Sequence, residues 1–243
     1  MLYHERMNKA LRGGRVAFFG GSFDPPHVGH LAVARAARAA LNLDTVLFAP
    51  VGAQPLKPAG SSASFEDRVA MTRLAVAGET GFALSLADAP RHQRAPNYTL
   101  ETLRTLGAEF APEVELFCLM GADSFAGLRH WRGAAELPFT ASLIVAARPG
   151  FDLADLQAAL PEGLTVEIAG ETASVAGVPV RTCRLQNQAG AKASLYLLPG
   201  LHVEVSASAM REAIGGSADR RNAAAGMLPR AVAEYIGAHQ LYR

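Results

Sequence analysis

An apolar run, Val16-Ala17-Phe18-Phe19, passes directly into Gly20-Gly21-Ser22-Phe23-Asp24-Pro25-Pro26-His27-Val28-Gly29-His30, and from there into the alanine-rich segment Leu31 to Leu41. No other stretch limits the fold so tightly, because strand, glycine turn and helix in this order open a βαβ unit. Thr45 to Ala49 supplies the next strand, at a separation suited to a right-handed crossover. The glycines permit a tight turn and a close backbone approach to a ligand. The first turn of the helix offers unpaired N–H groups and a positive dipole end to an anion. Such a loop is a phosphate cradle. His27 and His30, three positions apart at the helix start, share a face, so two imidazoles converge on whatever the loop holds. In an isolated H-x-x-H pair a turn and a helix cap would account for the residues equally well; the strand-to-helix context is what points to a ligand.

The 243 residues suffice for one α/β domain with a buried core. Half of them are apolar, and 23 Lys and Arg against 22 Asp and Glu leave a net charge of +1. No global footprint for nucleic acid exists, so an anion must be bound by locally placed groups, which favours a small-molecule substrate. The apolar runs fall short of a membrane span and Met1 to Gly14 lacks the apolar core of a secretory signal, so the expected location is cytoplasmic. Cys118 and Cys183 are too few and too far apart for a metal quartet, and no carboxylate cluster offers a protein cage for a metal.

Nearly continuous apolar strands predict a parallel sheet covered on both faces. The expected class is α/β, a Rossmann-like doubly wound parallel sheet with a small C-terminal helical region. Residues 1–14 read as an N-terminal extension and residues 15–243 as a single domain with an insertion near 151–201. In that insertion, Asp152 to Leu160 reads as helix and Thr165 to Ile168, Val178 to Leu185 and Ser194 to Leu198 as short strands.

Several further positions carry two readings each. Asp24 forms an Asx-type turn before Pro25 or reaches a metal indirectly. Lys57, the only charge in the proline-rich loop Ala49 to Pro58, is solvated or faces a ligand at the carboxyl edge of the sheet. Asn97 or Thr99 caps the helix that follows, or Tyr98 and Thr99 line a site. Gly121 and Asp123 close the strand Val114 to Met120, and the acid receives ribose hydroxyls or caps the next helix. Trp131, the only tryptophan, is packed in the core, sits at the surface without a role, or stacks on a flat ligand; Arg129, His130 and Arg132 around it make a core position awkward. Ser206 and Arg211 form an ordinary capped helix or grip an anion at its start.

Taken together, these motifs resemble the bacterial nicotinate-nucleotide adenylyltransferases of the nucleotidyltransferase superfamily, over roughly residues 15 to 150 and 196 to 243. The first loop is similar to that superfamily's N-terminal signature, and its H-x-G-H core to an element of class I aminoacyl-tRNA synthetases. The proline-rich loop with Lys57, the Asn97-Tyr98-Thr99 segment, the G-x-D of residues 121–123 followed by Trp131, Arg148-Pro149-Gly150, and Val205-Ser206 with Arg211 follow in the family's order. So does Leu228-Pro229 through Tyr242, whose role in the family is packing.

The resemblance implies adenylyl transfer from ATP to nicotinate mononucleotide, giving the dinucleotide and pyrophosphate in NAD synthesis, with Mg²⁺ bridging the substrate phosphates. It implies that His27, His30 and Arg211 are catalytic. Gly20, Gly21, Ser22, Phe23, Gly121, Asp123 and Ser206 would bind ATP and its phosphates, and Lys57, Tyr98, Thr99 and Trp131 the mononucleotide. Assembly into a homo-oligomer stays open. Three rivals are distinguishable: a sister transferase with a phosphopantetheine or cytidylyl substrate, a nicotinamide-dependent oxidoreductase, and a nucleotide sensor without catalysis. The oxidoreductase is disfavoured, since the loop is not G-x-G-x-x-G and the second strand ends in Ala-Pro instead of an acid.

Overall fold

A computed structural model describes residues 14–55, 60–92, 95–147, 153–170, 172–201 and 206–242. Lys57, Arg148-Pro149-Gly150, Val205 and all of the expected N-terminal extension but Gly14 lie outside these residues. In chain order the elements begin with β1 (Gly14–Gly21), α1 (Val28–Leu41), β2 (Thr45–Pro50), α2 (Phe65–Val76), β3 (Phe82–Leu84) and α3 (Thr99–Glu109). Next come β4 (Val114–Gly121), α4 (Ala122–Ala126), a 3₁₀ turn (Leu128–His130), α5 (Leu137–Thr140), β5 (Ser142–Ala146) and α6 (Leu153–Ala159). The chain continues through β6 (Leu164–Ile168), β7 (Ala173–Val175), β8 (Val178–Asn187), β9 (Lys192–Leu198), α7 (Ala207–Ile214), α8 (Ala218–Ala225) and α9 (Arg230–Ala238). Two compact units are woven from alternating segments. One comprises Met1–Phe19, Val33–Val46 and Tyr98–His202, the other Gly20–Ala32, Leu47–Asn97 and Val203–Arg243.

The first unit holds the mostly parallel sheet expected from the apolar strands. β1 pairs parallel with β4, β4 with β5 and β5 with β9, in registers such as Val16↔Leu116 and Leu143↔Leu195. Val16, Phe117, Leu143, Ile144, Val145 and Leu195 are fully buried, each contributing roughly 1.5–3 kcal/mol of apolar burial. β1 and β4 are neighbours although β2 and β3 lie between them in sequence. That reversal of strand order is where open α/β sheets take their ligands, beyond the carboxyl ends of the strands. The stretch 151–201 does more than decorate an edge, because its last strand, β9, is a parallel partner of β5. β8 then runs antiparallel to β9, and β6 and β7 pair with different halves of β8. β7, whose three residues are all exposed, has no alternation by which the sequence could announce it.

The second unit contains the C-terminal helices and their own core. Met71 and Ala75 of α2 are buried with Met210, Ile214, Ala224, Leu228, Val232 and Ile236 from α7, α8, α9 and the α8–α9 connection. Ser64 caps α2 by accepting from Asp67 N–H, and Glu66 and Asp67 complement the helix dipole. Ser206 caps α7 in the same manner. Neither Asn97 nor Thr99 caps α3. The capping position belongs to Tyr98, which makes no side-chain cap bond, because the Asn97 side chain is used elsewhere.

Candidate active site

The glycine loop leaves β1 inside the second unit and is held from several sides. A Cβ at Gly21 would lie 3.3 Å from the Phe23 ring, so a side chain there would displace that ring. Phe23 itself bends the chain with φ +47° and is buried against Phe48 and His30, at ring separations of 5.6 and 5.0 Å. Val51 N–H donates to Gly21 O, and Ser22 Oγ meets Gln54 Oε1 at 3.3 Å. Arg68 Nη1 donates to Ser22 O at 2.8 Å, from a side chain almost wholly out of solvent. Burial lowers the Arg68 pKa while the Asp24 carboxylate opposes that effect, so the guanidinium stays charged beneath the loop.

Asp24 does not make the Asx-type turn, one of its two readings, because its carboxylate bonds residues far along the chain. Its carboxylate is buried and accepts from Ser62 N–H at 2.6 Å, from Ala63 N–H at 3.1 Å and from the Tyr242 hydroxyl at 2.7 Å. Both oxygens are thereby committed to the chain itself. Its carbonyl accepts from Arg211 Nη1 at 2.8 Å, and Arg211 Nη2 reaches Ser208 Oγ at 3.2 Å. Arg211 is thus brought to the loop three residues ahead of His27, while Ser206 stands exposed at the start of the same helix.

The two imidazoles stack with ring centroids 3.7 Å apart. His27 N–H donates to His30 Nδ1 at 3.1 Å, and His27 O accepts from His30 N–H. A backbone N–H can only donate, so Nδ1 of His30 is the acceptor and the neutral ring carries its proton on Nε2. Burial pushes the His27 pKa down to about 4, and burial together with the neighbouring imidazole holds His30 well below 6.5. Both rings are neutral near pH 7. His27 Nδ1 is buried with no partner, an arrangement that costs free energy unless a ligand or water completes it. The helix start differs from the expectation in one respect. His27 N–H goes to His30 Nδ1 and Val28 N–H to Met227 O, so these two backbone donors are already paired within the chain.

Asn97 was invisible to sequence reasoning as a scaffold. Its side-chain oxygen accepts from Ala53 N–H, and its amide donates to Asp88 O and Ala89 O. These bonds fix the start of the proline-rich loop. There, a Cβ on Gly52 would come within 2.5 Å of the Pro90 backbone, so only glycine fits. Arg68 could have been found, since Arg68, Met71, Thr72 and Ala75 share the buried face of α2 at helical spacing.

The remaining predicted residues belong to the first unit. Tyr98 and Thr99 start α3, both half-buried, and the Arg132 guanidinium lies over the Tyr98 ring at 4.7 Å. Gly121 ends β4, and Asp123 is exposed in the first turn of α4, where Gly121 holds the capping position; the capping alternative for Asp123 is thereby removed. Trp131 terminates the 3₁₀ turn, its N–H bonded to Leu128 O, and is half-buried, not part of the core. Among the described residues no group of three or more His, Cys, Asp or Glu could hold a metal ion, and no helix is long and apolar enough to cross a membrane.

Comparison with known proteins adds three kinds of likeness. The cytidylyltransferase-like family model matches residues 18–213. A probable nicotinate-nucleotide adenylyltransferase of Geobacter sulfurreducens is 34% identical over 228 residues, covering 94% of this chain and 98% of that one. One from Laribacter hongkongensis is 38% identical over 229 residues, with 94% of each covered. One from Gloeobacter violaceus reaches 48% identity over 138 residues, 57% of this chain and 66% of that protein. The solved structure of Plasmodium falciparum nicotinic acid mononucleotide adenylyltransferase complexed with NaAD shares the fold, with TM-score 0.67, 15% identity and 94% and 97% of the two chains covered.

Proposed function

This chain belongs to the nicotinate-nucleotide adenylyltransferases, within the cytidylyltransferase-like family, and from that premise we propose how its residues carry out the transfer. The reaction joins ATP and nicotinate mononucleotide into nicotinate adenine dinucleotide and pyrophosphate. An oxygen of the mononucleotide's 5′-phosphate attacks the α-phosphorus of ATP in line, and the bond to the β-phosphate breaks as pyrophosphate leaves. No enzyme nucleophile is required, so catalysis consists of positioning and charge stabilisation.

His30 Nε2–H donates to an oxygen of the α-phosphoryl group, where negative charge grows in the transition state. His27, with its buried unpartnered Nδ1, meets a neighbouring phosphate. Gly20, Gly21, Ser22 and Phe23 bring the backbone close to the triphosphate, and Arg211 with Ser206 holds the departing pyrophosphate. Gly121 and Asp123 receive the ATP ribose. Tyr98, Thr99 and Trp131 take the mononucleotide, Trp131 by stacking on the electron-poor pyridine, and Lys57 joins them from the proline-rich loop. A protein cage for Mg²⁺ does not fit this loop, since the carboxylate of Asp24 is bonded to Ser62, Ala63 and Tyr242. Any Mg²⁺ would come with ATP, and it would supply charge neutralisation at the phosphates that His27, His30 and Arg211 face.

The observation that carries the reading is the convergence of Arg211, through the Asp24 carbonyl, on the loop that bears the stacked His27 and His30. Residues 15–243 act as one nucleotidyltransferase domain, because neither compact unit is a continuous stretch of chain. Two free, buried cysteines accord with a cytoplasmic enzyme. Pyrophosphate release tests the assignment directly. With ATP and nicotinate mononucleotide it proceeds. With phosphopantetheine or a cytidylyl substrate it does not, and nicotinamide mononucleotide is a poorer acceptor. ATP binding without release in any mixture would leave only a nucleotide sensor.

A further inference from the structure

We propose that Tyr242 is a positioning residue for adenylyl transfer, holding Asp24 so that the phosphate loop and Arg211 keep their working geometry. The inference rests on the activity proposed above. Tyr242 lies 218 positions along the chain from Asp24, yet its hydroxyl donates to Asp24 Oδ1 at 2.7 Å. The ring is packed where the hydroxyl also lies 4.0 Å from Met71 Sδ, so the phenol is fixed from behind by the core of the second unit. Burial and the Asp24 carboxylate both raise the Tyr242 pKa, which keeps its proton in place as a permanent donor.

Asp24 is where the strands of this argument meet. Its carboxylate is clamped by Ser62 N–H, Ala63 N–H and Tyr242, while its backbone carbonyl is the atom on which Arg211 Nη1 rests. The same carboxylate lies 3.9 Å from the Arg211 guanidinium. Any rotation of Asp24 therefore moves both the carbonyl and the charge that aim Arg211. Ser62 N–H holds Oδ2 and Ala63 N–H holds Oδ1; Tyr242 adds the only side-chain hydroxyl donor among the described residues, at Oδ1. Tyr242 touches no reacting atom, and its influence passes through Asp24.

A neighbouring tyrosine provides the control. Tyr235 OH donates to Asp67 Oδ1 at 2.9 Å, a comparable bond from α9 to α2 that does not involve Asp24. With the full chain, steady-state kinetics for ATP and nicotinate mononucleotide would be measured on Tyr242→Phe, Tyr235→Phe, Asp24→Ala and the pair Tyr242→Phe with Asp24→Ala. The expected result is a kcat about tenfold lower in Tyr242→Phe, with both KM values within about twofold of wild type and a melting temperature matching that of Tyr235→Phe. Tyr235→Phe retains its kcat, and in the Asp24→Ala background Tyr242→Phe adds no more than about twofold. Wild-type kcat in Tyr242→Phe would overturn the proposal. So would an equal kcat loss in Tyr235→Phe, a multiplicative loss in the double variant, or a melting temperature falling well below that of Tyr235→Phe. Inactive wild-type enzyme would instead count against the assigned reaction.

Discussion

The phosphate loop of the second unit and the Tyr98 to Trp131 region of the first, to which the proposed reaction gives different tasks, are held by opposite means. Around the loop the polar side chains of Asp24, Arg68 and Asn97 are buried, and each is bonded to the chain: Asp24 to Ser62, Ala63 and Tyr242, Arg68 to Ser22, Asn97 to Ala53 and Asp88. A buried polar atom left with no partner at all would cost about 1–3 kcal/mol. In the other region Asp123 and Arg132 are exposed and Trp131 and Tyr98 half-buried. Arg132 makes a cation–π contact with Tyr98 and a 3.8 Å surface ion pair with Glu101, together worth on the order of 1 kcal/mol. The difference matches the two tasks. Stabilising charge in a transition state needs donors fixed in advance, whereas recognising a flat base needs an accessible ring.

The largest test of that contrast is pH. The unfolded chain protonates His27 near 6.5 and the folded chain only near 4, so the unfolded state binds more protons between these values. Stability therefore falls as pH drops through that window, by roughly 3 kcal/mol, and levels off below it. Denaturant unfolding at several pH values should show this slope, to which the buried His30 adds, and His27→Gln should reduce it. An unchanged slope in the variant would mean that His27 is not held neutral by burial.

Next in size, His30→Ala should lower kcat by about 10²-fold with a much smaller change in KM, equivalent to about 2.7 kcal/mol in the transition state. Near-normal turnover would remove the Nε2 donor from the mechanism. Gly52→Ala should cost about 2 kcal/mol of stability in chemical unfolding, since the new Cβ strikes the Pro90 backbone. The smallest effect belongs to the exposed region. Trp131→Ala should raise the KM for nicotinate mononucleotide about tenfold, leave that for ATP unchanged and barely move the melting temperature. Equal changes for both substrates would make Trp131 structural and erase the contrast.

Legibility in the sequence follows the same division. The opening strand, loop and helix could be read because local rules suffice there: apolar run, glycine, helix cap. Ser64 and Ser206 declare themselves as caps for the same reason. The parallel sheet follows from the apolar continuity of β1, β4 and β5. What sequence could not reveal are the long-range partners. Asp24 offers an Asx turn or a metal contact on local grounds, and only folding brings Ser62, Ala63 and Tyr242 to its carboxylate. Asn97 looks like a cap because nothing nearby in sequence announces Ala53 or Asp88. Tyr242 reads as packing, since its hydroxyl's partner lies near the other end of the numbering. β9 reads as part of an appendage because its pairing with β5 is non-local.

The 218-residue span between Asp24 and Tyr242 also orders events during synthesis. A ribosome-bound chain emerges from its N-terminal side, so the glycine loop leaves the exit tunnel long before Arg211 and Tyr242, which both bond Asp24, have been translated. Until α7 and the residues after α9 are made, neither Arg211 nor Tyr242 is there to reach Asp24, and the nascent polypeptide carries the histidine pair without them.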